Sequence, residues 1–157
     1  MDQNAFRETY HAVNERFCIY EKSILTNQCG CSSAEKFCIA EREGVHCKSD
    51  RGQQQCQEYL DILREQAKFA LHTLDTEKKR SLPHGKAIRI QVGGLLGLRY
   101  ACYPDEPIAS TINDIDGQLI LAKEQFGDFR ELPFSTIMQQ VAAYKTKKRA
   151  HRRNKDE

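Results

Sequence analysis

Apolar residues recur at alternating intervals of four and three over the first 25 positions of the chain. The stripe consists of Phe6, Tyr10, Val13, Phe17, Tyr20 and Ile24. This spacing matches the 3.6-residue period of a helix and predicts one amphipathic helix over about residues 3–25. Cys18 lies beside the stripe, directly after Phe17, and we expect its thiol to face the protein interior.

A second, shorter helix is predicted from polar signals. Ser32 followed three residues later by Glu35 has the form of a capping box, in which two side chains satisfy free N–H groups at a helix start. Gly44 suits the end of the same helix, because glycine readily adopts the left-handed conformation found at helix C-termini. This interpretation places Cys38 in the middle of the helix.

A third helix is predicted to begin at Asp50, since aspartate is a favourable N-cap residue. Its apolar stripe consists of Cys56, Leu60, Leu63, Ala67, Ala70, Leu71 and Leu74. The basic residues at 78–80 suit the negative C-terminal end of a helix dipole and close the helix at about residue 79. Residues 81–85 then break the pattern, which makes this segment the best internal boundary.

Beyond residue 85 the period changes from helical to alternating. The apolar strand positions are Ile88, Ile90 and Val92 before a Gly-Gly turn signal, and Leu96, Leu98 and Tyr100 after it. A hairpin with a three-residue loop at 93–95 would place all of them on one face, because register follows the buried face. Residues 118–122 are predicted as a further strand, with 109–112 as its candidate partner.

Residues 133–144 carry the pattern of a last amphipathic helix. Pro133 suits its first turn, and its apolar face consists of Phe134, Ile137, Met138, Val141 and Tyr144. The elements predict an α+β fold: an N-terminal Cys-rich three-helix region, a small antiparallel β-sheet and a C-terminal amphipathic helix. The predicted organisation is a Cys-rich helical region over 1–80, a β-sheet and helix region packed on it over 86–144, and a basic tail over 145–157.

Composition narrows the class of protein. The 157 residues are 39% apolar and 29% charged, which is ordinary for a soluble globular protein with one domain or two small halves sharing a core. No run approaches the roughly 18 consecutive apolar residues that span a bilayer, so no membrane association is expected. The first residues show no secretory signal, which predicts a cytoplasmic location. In that reducing compartment, clustered cysteines hold metal more often than they form disulfides.

Six of the seven cysteines fall within 39 residues, and they are the candidate metal ligands: Cys18, Cys29, Cys31, Cys38, Cys47 and Cys56. Packing of the predicted helices would bring these thiols into a buried pocket. Burial opposes thiolate formation, so such a set is stable chiefly when metal neutralises it or disulfides consume it. The first choice of four ligands takes one cysteine from each successive element: Cys29, Cys38, Cys47 and Cys56. Cys18 or Cys31 can replace any of them, and His46 is a further candidate.

Four interpretations of the cysteines stay open. An iron–sulfur cluster, as [4Fe–4S] or [2Fe–2S], leads because four cysteines suffice and widely spaced elements can supply its thiolates. Zinc is the alternative, although the chain lacks the C-x2-C pairs usual in structural zinc sites. Disulfides or a metal-free thiol switch form the third interpretation. The fourth, an inert buried thiol, suits Cys102 better than it suits six clustered cysteines.

The remaining patterns concern catalysis and partners. The chain contains no G-x-S-x-G, P-loop or G-x-G-x-x-G motif, which favours an electron carrier or redox sensor over a hydrolase and predicts a protein redox or regulatory partner. The net charge of +2 hides a basic tail, because residues 145–155 contain seven Lys or Arg and no acid. This tail could contact nucleic acid phosphates or an acidic protein, and a solvated helix end accounts for it equally well.

Overall fold

A computed structural model describes residues 3–70 and 84–145 of the chain. In chain order its elements are α1 (Gln3–Val13), α2 (Glu21–Leu25), β1 (Ala34–Ile39), β2 (Arg42–Cys47), α3 (Asp50–Ala70), α4 (His84–Cys102), α5 (Ile115–Phe126), a 3-10 turn (Phe129–Glu131) and α6 (Phe134–Ala143). Helices combined with a two-stranded antiparallel sheet agree with the predicted α+β class.

The central helix, α4, occupies the segment that was predicted as a β-hairpin. That prediction is wrong: residues 90–98 of α4 are all buried, and the helix contacts α2, α3, α5 and α6. A helix that is enclosed on nearly all sides is apolar over most of its surface, so it loses the amphipathic period by which helices are recognised. The alternation at Ile88, Ile90 and Val92 is therefore part of this enclosed surface.

Close approach of α4 to α6 depends on two glycines. A Cβ atom on Gly97 would lie 2.9 Å from the Cα of Ile137, a distance at which something must shift. Gly93 faces Val141 in the same manner. Arg89 adds polar contacts, because its Nε donates to the Val141 carbonyl over 2.9 Å and its terminal nitrogen donates to the Ala142 carbonyl. The glycines that suggested a turn are thus the contact points of a helix pair.

The N-terminal segment does not form the single helix predicted over 3–25. Helix α1 ends at Val13, and the chain then runs beside β2, where Phe17 forms an antiparallel bridge with His46. The backbone N–H of Cys18 donates to the Val45 carbonyl over 2.9 Å. These inter-segment hydrogen bonds replace helical ones, so Cys18 lies in an extended segment between α1 and α2.

The helix predicted over 32–44 is also wrong, because this segment forms the β1–β2 hairpin. Ala40 and Glu41 connect the strands with φ angles of 48° and 72°, in the left-handed region that hairpin turns use and that Asn or Gly normally occupies. Gly44 pairs with Phe37 across the hairpin, and a Cβ atom there would lie 2.4 Å from the Phe37 ring. Gly44 therefore makes room for an aromatic ring instead of ending a helix.

Two predicted helix positions are confirmed: α3 begins at Asp50, and α6 buries Ile137, Met138 and Val141. The strand predicted over 118–122 is wrong, because these residues belong to α5, and Ile112 forms a bridge with Cys29 instead. The helix end predicted at about residue 79, residues 81–83 of the predicted break and the basic tail beyond Lys145 lie outside the described residues. The last two residues of that break, His84 and Gly85, belong to α4. Buried residues from α2, β2 and α3 share one hydrophobic cluster with those of α4, α5 and α6.

Candidate metal centre

Four cysteines from separate parts of the fold line one small pocket. Cys18, Cys31, Cys47 and Cys56 surround it, together with Ile19, Tyr20, Ser33, Ala34, Gln53 and Ile115. All seven cysteines of the chain lie in the described residues, and all are free thiols. The pocket is therefore the place where the structure brings together most of the clustered thiols.

Cys18 and Cys47 are held side by side by backbone pairing. The segment that contains Cys18 runs along β2, so that the N–H of Cys47, the last residue of β2, donates to the Arg16 carbonyl over 2.8 Å. The bond from the Cys18 N–H to Val45 completes this short pairing. Two thiols separated by 29 positions of sequence become neighbours in this way.

Cys31 reaches the same pocket through the start of the hairpin. Ala34 pairs with Cys47 in the register of β1 and β2, and the Ala34 N–H donates to the Cys31 carbonyl over 3.2 Å. The loop is also tied to the start of α5: Ile115 N–H donates to the Gly30 carbonyl over 2.9 Å. The N-terminus of α5 therefore lies against the Cys31 side of the pocket.

Cys56 comes from the first turns of α3 and closes the pocket. The side-chain amide of Gln53, one helical turn before Cys56, donates to the Phe17 carbonyl over 2.8 Å. Residues three apart share one face of a helix, so this bond directs the face that carries Cys56 toward Cys18. A different set of hydrogen bonds or a different element therefore positions each of the four thiols at the pocket.

The pocket is small and has room for roughly one water molecule. Among the described residues, no group of three or more His, Cys, Asp or Glu side chains is already arranged to hold a metal ion. The four thiols thus share a pocket without forming a finished coordination site.

Burial raises the pKa of three of the four pocket thiols. It raises the pKa of Cys18 to about 12. It also raises the pKa of Cys31, although the backbone N–H groups of Ser33 and Asp116 oppose part of this shift. For Cys56, burial is the first cause of a raised pKa, and charge on Cys18, Cys31 or Cys47 would raise it further. Four thiolates are stable together here only when a cation compensates their charge.

The other cysteines lie elsewhere. Cys29 is buried beside Ile112, and burial raises its pKa to about 12. Cys38 is exposed on β1 opposite Glu43. Cys102 is buried at the end of α4. Among the described residues that line the pocket, none of these three appears.

His46, the other candidate ligand, is placed on β2 beside the pocket cysteine Cys47. Its Nδ1 atom lies 3.1 Å from the Asn14 side-chain oxygen. Asn14 is itself buried, and its amide donates to the Val45 carbonyl over 3.0 Å. His46 therefore takes part in fastening the end of α1 to β2.

Tyr20 is a pocket residue that sequence reasoning missed. It was assigned only to the apolar stripe of a helix, yet its side chain is fully buried and lines the pocket. Its hydroxyl has no hydrogen-bond partner among the described residues. The helical spacing of apolar residues indicates that the Tyr20 ring is buried, but it does not indicate which residues surround the ring. Nothing in the sequence therefore predicts that Tyr20 lines the pocket.

Comparison with known proteins adds no relative. The chain matches no family model, and no curated protein or solved structure shows significant similarity to it. Separately, the described helices include none that is long and apolar enough to cross a membrane. The pocket itself is therefore the feature from which we infer a function.

Proposed function

We propose that this protein binds one iron–sulfur cluster, of the [4Fe–4S] type, through Cys18, Cys31, Cys47 and Cys56, and that it serves electron transfer or redox sensing. The observation that carries the proposal is the convergence of these four thiols on one buried pocket. Four cysteine thiolates are the full ligand set of such a cluster. Electron transfer would move one electron from a reduced partner to an oxidised acceptor, without forming or breaking a bond in the protein.

The origin of the four thiols supports a cluster. They come from the segment before α2, the loop before β1, the end of β2 and α3, and the shortest spacing between them is nine residues. Structural zinc sites usually take cysteines in pairs two to four residues apart. A cluster is larger than one ion, and its thiolates can come from separate elements. Its assembly would widen the pocket, which requires movement of the thiols.

The burial of the thiols also supports a metal ligand set. Burial raises the pKa of Cys18, Cys31 and Cys56, so these three thiols are neutral at neutral pH in the metal-free pocket. Metal binding would release their protons and compensate the resulting charge. A cytoplasmic location, in which thiols stay reduced, is part of the same proposal.

Zinc is the second candidate, and the size of the pocket favours it. A pocket with room for roughly one water molecule accommodates a single ion with less rearrangement than a cluster. In that case the protein would be a zinc-stabilised interaction module whose basic tail binds nucleic acid or an acidic partner. Binding through the tail would weaken steeply as salt increases, since it depends on phosphate or carboxylate charges.

Metal analysis distinguishes the two candidates. Protein purified anaerobically should be assayed for iron, acid-labile sulfide and zinc per chain. The cluster proposal expects about four iron and four sulfide per chain and a brown colour. Colourless protein with about one zinc per chain would overturn the cluster and support the second candidate. Protein without any bound metal after anaerobic reconstitution with iron and sulfide, or with zinc, would overturn both.

Single Cys→Ser variants test the ligand set. We expect Cys18→Ser and Cys56→Ser to lose most of the bound iron, because each removes one of four thiolates. Cys38→Ser is the matched control, since the exposed Cys38 belongs to the same cysteine-rich segment but not to the pocket. Equal losses of iron in Cys38→Ser and Cys56→Ser would contradict the proposed ligands.

A further inference from the structure

The helix pair α4–α6 belongs to two stretches of the chain that contain no acidic residue. Residues 84–102, which form α4, include no Asp or Glu, and neither do residues 133–155, which contain α6 and most of the basic tail. Positive charge in these stretches comes from three residues of α4 and from the seven Lys or Arg of 145–155. No carboxylate from either stretch balances this charge.

The two helices run antiparallel, so the start of α4 lies beside the end of α6. Gly97 of α4 meets Ile137, whereas Arg89, about two turns earlier, donates to the Ala142 carbonyl near the end of α6. Lys145 follows Ala142 by three residues, which span at most about 11 Å of chain. The basic tail therefore starts close to the first turns of α4.

Lys86 extends this positive end of the helix pair. It precedes Arg89 by three residues, so the two side chains share one face of α4. Burial, followed by the charge of Arg89, lowers the pKa of Lys86, as expected for neighbouring cations. The opposite end of α4 differs, because Arg99 there forms an ion pair with Glu106 over 3.1 Å. Positive charge is thus concentrated where α4 begins and α6 ends.

We infer that the end of the helix pair formed by Lys86, Arg89 and Lys145, together with the tail that follows it, binds the phosphate backbone of a nucleic acid. This goes beyond the proposed function, because it adds a second binding site that does not depend on the metal in the pocket. It also differs from binding by the tail alone, because Lys86 and Arg89 belong to the folded helix pair. The folded end would hold phosphates next to the point from which the tail starts.

The density and single sign of these charges define the partner. Residues 145–155 carry seven Lys or Arg, and a chain of that length spans at most about 40 Å. A DNA duplex carries one negative charge per about 1.7 Å of helix axis, so a phosphate lies within reach of every cation. Contacts to phosphate carry no sequence information. We therefore expect binding that is independent of base sequence and strongly dependent on salt.

The experiment measures binding of the full-length protein to a fluorescent DNA duplex of about 20 base pairs at salt concentrations from about 50 to 200 mM. Lys86→Gln removes one charge from the folded part of the site. Lys36→Gln is the matched control, since it removes the same charge from an exposed position on β1, which packs on β2 and α1. A tail variant, Lys147→Gln/Lys148→Gln/Arg149→Gln, removes three charges. Metal content and thermal unfolding are measured for each protein.

The affinity of wild type should fall steeply as salt increases. Lys86→Gln should reduce the slope of log affinity against log salt concentration by about 1, and the tail variant should reduce it by about 3, because each lost cation is one lost phosphate contact. Lys36→Gln should keep the wild-type slope. All variants should keep the wild-type metal content, because none of the substituted residues lines the pocket.

Other results would overturn the inference or the proposed function separately. Wild type that does not bind the duplex at about 50 mM salt would overturn the inference and leave the metal proposal intact. An unchanged slope in Lys86→Gln would overturn the composite site, because the tail would then bind without the folded end. Poly-glutamate that competes as well as DNA at equal charge would make an acidic protein the partner instead. Salt-dependent DNA binding by protein that holds no metal would support this inference and overturn the proposed function.

Discussion

A Cβ atom on Gly93 of α4 would lie only 2.7 Å from the Cα atom of Val141 in α6. The two helix backbones therefore meet at this point without an intervening side chain. The α4–α6 contact is the most extensive one between elements of the described structure. Its geometry depends on the absence of a side chain at Gly93.

We expect Gly93→Ala to destabilise the protein, because the added methyl group must push the two helices apart. Overpacking of this kind costs about 1–3 kcal/mol, measured as a lower free energy of unfolding in urea. Gly85→Ala is the matched control: it lies in the same helix, and no atom of the described chain would be within 4 Å of its Cβ. The control should gain about 0.5–1 kcal/mol. Equal stability of Gly93→Ala and wild type would contradict this close contact.

Glu21 fastens α1 to the hairpin. Its Oε2 atom accepts two hydrogen bonds, one from the Tyr10 hydroxyl over 2.7 Å and one from the Val45 N–H over 2.8 Å. We expect Glu21→Ala to cost about 1–3 kcal/mol of unfolding free energy, because a buried backbone donor loses its partner. The exposed Glu8→Ala in α1 should change stability by less than about 0.5 kcal/mol. A similar effect of both substitutions would show that the Glu21 contacts contribute little.

The thiols should differ sharply in reactivity in the metal-free protein. Cys38 is exposed, whereas burial raises the pKa of Cys18, Cys29 and Cys56. Because the thiolate is the reactive form, a colorimetric thiol reagent at neutral pH should label Cys38 in a fast phase and the buried thiols slowly. Cys38→Ser should abolish the fast phase. If the fast phase survives in this variant, another thiol must be open to solvent.

Alkaline pH should destabilise the fold through its buried tyrosines. Burial raises the pKa of Tyr59 well above its ordinary value, and burial followed by the hydrogen bond to Glu21 raises the pKa of Tyr10. A group whose pKa is raised by folding contributes stability that is complete below its unfolded pKa, about 10 for tyrosine, and is lost as the pH rises above it. Unfolding free energies measured at increasing pH should therefore fall above about pH 10.

The phenol absorbance provides the check on this alkaline loss. Tyr59 should ionise together with the loss of helical circular dichroism, because its phenolate is incompatible with the fully buried site. Tyr59→Phe should show a shallower decline of stability above about pH 10 than wild type. Ionisation of all the tyrosines before any loss of helical signal would rule out the proposed coupling.

Amphipathic elements were predictable from the sequence, and enclosed ones were not. The apolar face of α6 and the helix start at Asp50 are local features, so each is visible in a short window of sequence. Helix α4 is buried on nearly all sides, and its residues 87–98 therefore contain no polar face to mark the helical period. The hairpin was missed for a different reason, since Ala40 and Glu41 are not typical residues for φ angles above zero.

The sequence predicts that cysteines line the candidate pocket, but it does not predict which of the six cysteines do so. Six thiols lie close together along the chain, and from this the sequence predicts that their burial would favour metal binding. Spacing along the chain does not distinguish Cys29 and Cys38 from the other four cysteines, and the capping-box pattern at Ser32 predicts a helix where the strand that exposes Cys38 lies. Only the folded chain brings Cys18 and Cys31 to the same pocket as Cys47 and Cys56. The physical reason is that backbone hydrogen bonds between distant segments, such as that from Cys18 to Val45, set which thiols meet, and no local pattern encodes such pairing.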